Sequence, residues 1–435
     1  MATKHFFQRT TQSVSFKLIM IGVIALLLLI PANMVKSLIR ERQYRQAEVV
    51  KEITYKLGKD QTLSGPILSI PYRTLIEDDE KTKTVWHYMH FLPETLNIRG
   101  NIHPDIRYLG IYKVVGYASK LDISGEFRNL TVDKKQIHPS DIFWNEAVLS
   151  IGITDMRGIA RNIFVDWNSR QYKLKPGIPT KDILPKGVNT PVEVKEGENQ
   201  EFTLSIDLNG SKSFQFIPVG SRTHVKLNSD WNTPSFCGAF LPDHREVTEE
   251  GFEAEWQVLE LNRSYPQSWS DDTYSITDSA FGVELIFPVD IYQKNMRSVK
   301  YALLFIIFTF VVFFFAEYLN KKRIHTIQYL LVGFALIVFY SLLFSLSEHL
   351  AFALAYLIAS IAIITLITSF FHAMIKKTKA TLSVGIILTV LYTFLYIILK
   401  VYDYSLLLGN IGLFVILAVI MYFSRKIDWN RQTDE

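Results

Sequence analysis

Cysteine is almost missing: Cys237 is the only one in 435 residues. No internal disulfide can therefore staple the fold, and the chain must rely on its apolar core. An excess of charge of one sign is missing too. The 46 Lys and Arg against 42 Asp and Glu leave +4, and no basic stripe stands out in the polar part, so nucleic acid is not an expected partner. Histidine is sparse. His87 and His90 are three apart, a spacing that meets on a helix, but Val85 to Phe91 reads as a strand. With no second His or Cys cluster, no metal or other cofactor is expected. His103 and His138 each precede a proline and read as turn markers. No Gly-x-Ser-x-Gly elbow occurs and no Ser, His, Asp spacing singles out a triad. The segment Gly152 to Gly158 lacks the glycine spacing of a phosphate loop. The chain is not expected to be an enzyme, and catalytic, cofactor and metal residues are all assigned as none, with binding residues unassigned.

Long apolar runs, by contrast, are abundant. A helix needs about 20 apolar residues to cross a bilayer, because its backbone must bond internally there. Six stretches qualify: about Phe16 to Leu38, Tyr301 to about Leu319, Thr326 to Ser347, Leu350 to Phe371, Ala380 to Leu399 and Tyr404 to Ser424. Basic residues cluster in alternate short loops: Lys321, Lys322 and Arg323, then Lys376, Lys377 and Lys379, then Arg425, Lys426 and Arg431. Since such loops stay in the cytoplasm, both termini are expected there and residues about 39–298 outside it. Lys4, Arg9 and Lys17 agree, while Lys36, Arg40, Arg42 and Arg45 after the first span disagree. The apolar core of that span is too long for a signal peptide and has no small-x-small cleavage pattern, so an uncleaved anchor is expected. Glu317, Glu348, His349 and Asp403 fall at span ends, where water is expected to reach them, and no mid-membrane charge marks a transport path. Tyr301, Tyr318, Tyr402 and Trp429 fit an interfacial aromatic belt.

Between the first span and the rest, the pattern changes. Arg40 to Leu57 has near-helical apolar spacing and stops at Gly58, as a solvated stalk or a docking element. From Gly58 to Arg297 the period is two. Phe202, Leu204, Ile206 and Leu208 alternate into Asn209-Gly210, and Phe214, Phe216 and Val219 follow, which predicts a hairpin. Tyr72 to Leu75, Val225 with Leu227, and Phe252, Ala254, Trp256 and Val258 alternate likewise. A mostly antiparallel sandwich is expected, with Lys186 to Gln200 as a surface loop. Cys237, between Phe236 and Phe240, reads as a small buried hydrophobe rather than a reactive thiol or an intermolecular bridge. The Asp155-Arg157 pair and Asp243 to Glu246 read as salt-bridged loops.

Several blocks also resemble a known family. These are Gly65-Pro66, His90-Phe91-Leu92-Pro93-Glu94, Asp155-Met156-Arg157-Gly158, and Pro234-Ser235-Phe236 through Phe240-Leu241-Pro242 and Arg245-Glu246-Val247 to Gly251-Phe252 and Trp256. Further on come Gln328 to Gly333, Phe339-Tyr340, Leu346-Ser347-Glu348-His349 and Ile427-Asp428-Trp429. In this order they resemble the CreD family of bacterial cell envelope integrity inner membrane proteins, over nearly the whole chain. The resemblance implies a multi-pass inner-membrane protein with a large periplasmic domain. It also implies association with envelope integrity, colicin tolerance and an envelope-stress and β-lactam response, and it supplies no catalytic residues.

The expected architecture is an α+β membrane protein with one N-terminal transmembrane helix, a large β-rich periplasmic domain and a C-terminal bundle of five transmembrane helices. Its segments are a cytoplasmic N-terminus (1–15), transmembrane helix 1 (16–38), a juxtamembrane helix (39–57), the periplasmic domain (58–298), the bundle (299–424) and a cytoplasmic tail (425–435). The expected function is a non-enzymatic scaffold or sensor, with a small-solute or lipid transporter as the alternative. Expected partners are the lipid bilayer and an envelope protein or cell-wall component.

Overall fold

The computed structural model describes residues 14–78, 81–132, 137–180, 184–287, 291–320, 322–401 and 405–425. Lys4, Arg9, Lys321, Tyr402, Asp403, Lys426, Trp429 and Arg431 lie outside the described residues. The chain forms two compact units, Met1–Gln46 with Val289–Glu435, and Ala47–Pro288.

The first unit is helical. Helices α1 (Val14–Leu27) and α2 (Leu29–Leu57) are separated at Leu28, because Pro31 has no N–H for the Leu27 carbonyl and its ring crowds the preceding turn. Gly58, at φ 115°, ends α2 in a conformation that favours glycine. A short helix α3 (Ile291–Lys300) precedes α4 (Ala302–Asn320), α5 (Thr326–Ser347), α6 (Phe352–Ile375), α7 (Thr378–Lys400) and α8 (Ser405–Ser424). Among the described residues, five helices are long and apolar enough to cross a membrane: one over Lys17–Lys56, and α4 to α7. Helix α8 carries no charged residue over its 20 positions.

Why a membrane rather than a buried core is clear from α5. Tyr329, Val332, Leu336, Phe339 and Leu343 are buried, yet Ile327, Leu331, Phe334 and Val338 on the opposite side are exposed. A helix apolar on both faces needs an apolar solvent outside. Aromatic rings join the helices: Phe339 lies 5.5 Å from Tyr356 and 4.8 Å from Tyr392, and Phe313 lies 5.0 Å from Phe371. Gly333 admits the N-terminal helix closely, since a Cβ there would sit 2.1 Å from the Leu28 side chain.

The second unit is built from two sheets. One runs β13-β17-β11-β1-β5-β9-β8, with β2 also paired to β1 and β16 to β2; the other runs β14-β15-β12-β3-β4-β10-β6-β7. Among these, β1 is Gln61–Asp78, β2 Lys81–Phe91, β3 Thr95–Leu109, β4 Tyr112–Phe127, β5 Val148–Ile153, β6 Phe164–Trp167, β7 Arg170–Lys173 and β8 Lys175–Pro176. The rest are β9 Gly187–Pro191, β10 Gln200–Ser211, β11 Ser213–Ile217, β12 Arg222–Ser229, β13 Pro234–Gly238, β14 His244–Val247, β15 Phe252–Leu259, β16 Ser268–Ser270 and β17 Phe281–Leu285. Pairing is antiparallel except for β1 with β11 and β12 with β3. Inward-facing residues of both sheets form one core. Tyr117 of β4 meets Phe214 of β11 at 5.6 Å, and Trp256 of β15 meets Phe281 of β17 at 5.7 Å. These aromatic contacts across the two sheets make the unit a sandwich.

Three local expectations are corrected. The segment Phe202 to Val219 is not a hairpin: Asn209 and Gly210 stay in β10, paired with Ala118 and Tyr117. The chain turns instead at Lys212, φ 61°, and passes into the other sheet as β11. Crossing over lets the apolar faces of β10 and β11 meet in the core, which a hairpin in one sheet would not do. The acidic loop Lys186 to Gln200 begins as strand β9, and Val192 and Val194 beyond it are buried. His103-Pro104 lies within β3 rather than at a turn.

Candidate functional site

A cleft of about 870 Å³ opens on the outward face of the second sheet. Period-two alternation builds it. Because Leu96 and Ile98 of β3, Leu121 and Ile123 of β4, and Phe202, Leu204 and Ile206 of β10 point into the core, the residues between them point out. Register then aligns them in rows. Arg99 stands opposite Asp122, which stands opposite Ser205. The next row runs Asn97, Ser124, Thr203 and Asp166 across four strands. Lys120 stands opposite Asp207, whose Oδ2 is 3.2 Å from Arg161 Nε at the rim. Gln171 Nε2 donates to Asp166 Oδ1 at 3.3 Å, and Phe164 is 42% exposed beside them.

Two features describe this face. Among the described residues, the side chains of Asn97, Arg99, Asp122, Ser124, Thr203 and Ser205 have no hydrogen-bond or ion-pair partner in the protein. The lining is also balanced, with Arg99, Lys120 and Arg161 against Asp122, Asp166 and Asp207. A concave surface with idle donors and acceptors and no net charge suits a polar ligand of low charge. Sequence reasoning assigned none of these residues. The alternation from Phe202 to Leu208 left Thr203 and Ser205 facing out, but the register that gathers the rest joins residues as far apart in the chain as Asp122 and Ser205.

The other singled-out residues serve different ends. The Asp155-Arg157 pair forms an ion pair at 2.6 Å in a 3₁₀ turn. Arg157 also donates to the Tyr55 carbonyl at 2.6 Å and stacks over the Tyr55 ring at 4.1 Å, while Lys59 N donates to Asp155 Oδ2 at 3.0 Å. Gln61 bonds the Asp155 backbone on both sides. This clamp ties the end of α2 to the sandwich. The Arg157 guanidinium holds the Asp155 carboxyl well below the usual carboxylate range, against the opposing effect of burial.

His87 and His90 lie on opposite faces of β2, so they cannot share a metal. His87 bonds Asp271 Oδ2 at 2.7 Å and Thr74 Oγ1 at 3.0 Å, pinning the loop after β16, and His90 is buried against Ser69 at 2.9 Å. His138 caps the 3₁₀ turn Pro139–Asp141. Cys237 is half-buried on β13 with Gln215 Nε2 at 3.4 Å, rather than fully buried, and burial pushes its thiol pKa up. Asp243 to Glu246 is not a loop: His244–Val247 form the edge strand β14, with Arg245 over the Phe236 ring. In the helical unit, the expectation that water bathes Glu317 is corrected. Its side chain is 11% exposed and bonds Lys17 Nζ and, at 3.0 Å, the Tyr329 hydroxyl.

Taken together, the apolar helices and the sandwich that follows the first of them in sequence and precedes the rest define a class, a multi-pass membrane protein with one large inserted β domain. The chain belongs to the CreD family: the profile described as "Inner membrane protein CreD" matches residues 13–430. It is similar to the inner membrane protein CreD of Escherichia coli strain K12, at 33% identity over 412 residues, covering 93% of this chain and 91% of that one. Among solved structures, a Legionella pneumophila protein described provisionally as nutrient-binding aligns over 41% of this chain and 68% of its own, at 9% identity and a TM-score of 0.23. That likeness carries no argument.

Proposed function

We propose that this chain is an inner-membrane protein that supports cell envelope integrity as a non-enzymatic scaffold or sensor, and that its cleft docks an envelope component. The observation that carries this reading is the cleft itself, a concave field of polar groups in which Asn97, Arg99, Asp122, Ser124, Thr203 and Ser205 have no partner in the protein. In the proposed topology α8 is a sixth span, both termini are cytoplasmic and the sandwich is periplasmic. The basic loops around Lys322, Lys377 and Arg425 support that orientation. Membership of the family supports a place in the response to envelope stress, colicins and β-lactams. A domain attached to membrane segments at both ends meets its ligand at high effective concentration, with no catalytic step required.

The test is in-cell photocrosslinking from outward positions of the cleft, such as Thr203 or Ser205, in the full chain. Recovery of a defined envelope component is expected. Labelling of nonspecific neighbours alone, identical to that from a control position on β14, would refute the reading. A transporter is the second reading, favoured by polar groups buried in the helical unit. Asn295 donates to Ser347 Oγ at 2.7 Å, and Thr309 is fully buried. Flux by the purified protein in liposomes, above that of empty vesicles, would establish transport.

A further inference from the structure

We infer that the cleft on the outward face of the second sheet binds a neutral glycan chain laid across strands β3, β4, β10 and β6. This rests on the docking reading above and names its ligand class.

The lining excludes other chemistries in turn. A polyanion such as a nucleic acid or an acidic polymer would meet Asp122, Asp166 and Asp207 as well as the three cations, and would gain nothing net. An acyl chain needs apolar walls, whereas the exposed lining is amide, hydroxyl and charged groups with Phe164 as its one exposed ring. A polypeptide adding a strand would use a sheet edge. The cleft instead lies on a face, spread over β3, β4, β10 and β6 and reaching the edge strand β7 only through the side chain of Gln171.

What fits is a chain of hydroxyls. Carboxylate and guanidinium side chains bind vicinal hydroxyls in pairs, the first as acceptor and the second as donor. Arg99 and Asp122 stand side by side for this, unbonded to protein. Asn97, Ser124 and Thr203 extend the row to Asp166. At about 4.8 Å per strand, that row spans roughly 14 Å, enough for several linked sugar rings rather than one. Phe164 supplies the flat apolar surface against which the C–H face of a sugar ring packs. Balanced charge also predicts that binding depends little on salt.

The test uses the full chain in nanodiscs, titrated calorimetrically with hexa-N-acetylchitohexaose, maltohexaose and polyglutamate. At least one hexasaccharide is expected to bind saturably, little changed between about 0.05 and 0.5 M salt, and polyglutamate is expected not to bind. Preference for the acetylated hexamer would indicate an N-acetylated wall glycan, and preference for the other an unacetylated glucan. Arg99→Ala, Asp122→Ala and Phe164→Ala should each weaken binding roughly tenfold or more with the thermal midpoint unchanged, since all three are surface groups. Absence of saturable binding by both hexasaccharides, or affinities unchanged in all three variants, overturns the inference.

A second measurement separates this from the docking reading: labelling of Thr203→Cys, in a Cys237→Ser background, by an impermeant maleimide on spheroplasts. External labelling without glycan binding overturns the ligand class alone. Glycan binding without external labelling upholds the ligand class and overturns the periplasmic placement.

Discussion

The clamp of Asp155 and Arg157 gives the sandwich a stability that depends on pH in one direction. The Asp155 carboxyl titrates well below its ordinary 3.8 in the folded chain. Its contribution is therefore complete above the unfolded value and drains away as pH falls toward the folded one. Arg157→Ala leaves a carboxylate of 8% exposure with only backbone donors. It should cost about 1–3 kcal/mol at neutral pH and move the acid unfolding midpoint upward, read by tryptophan fluorescence of the full chain in detergent. Asp155→Asn should flatten the pH dependence below about 4, and an unchanged acid limb in both variants would show that the clamp is not the titrating unit. Cys237 gives a second residue-scale expectation. Burial raises its thiol pKa, so little thiolate exists at pH 8, and its reaction with a disulfide reagent should be many-fold slower than that of the unfolded chain. Equal rates would contradict the half-buried placement.

Among the elements, one contact sensitive to size is that of α5 with the N-terminal helix. At Gly333 the neighbours are Leu28 and the Phe310 ring. Gly333→Leu should overpack this contact at a cost of about 1–3 kcal/mol. It should also slow disulfide formation between Met20→Cys and Thr326→Cys, whose native side chains meet at 3.0 Å. An unchanged crosslinking rate would mean that the helices can part without effect. The legibility of the fold divides along the same line. Helices were readable because an apolar run long enough to span lipid has few other uses, and so α4 to α7 match four expected stretches to within a few residues. Strands were readable from alternation, as at Phe252 to Val258. Their partners were not. Nothing local told that Lys212 would send β11 into the other sheet, or that Asp122 would stand between Arg99 and Ser205. The β3–β4 and β6–β7 sides of the cleft are local hairpins, but β10 joins them by non-local pairings, whereas the Asp155-Arg157 pair, two residues apart, could be read directly.

At the scale of the whole molecule, the segment Ala47–Pro288 continues into membrane helices at both ends. The sandwich cannot diffuse from the bilayer, and which side it occupies depends only on the direction of the first span. Parity then fixes the far end of the chain. If α8 crosses, six spans return the C-terminus to the side of the N-terminus; if it lies along the surface, five leave it with the sandwich. Charge favours six, since Lys400 stands alone before α8 while Arg425, Lys426 and Arg431 follow it. Alkaline phosphatase fused after residues 200 and 401 should therefore be active. The same enzyme fused after residues 322, 376 and 425 should be silent, and green fluorescent protein at 425 should fluoresce. Phosphatase activity at both 401 and 425 would reduce the count to five, and silence at 200 would put the cleft in the cytoplasm, out of reach of any envelope ligand.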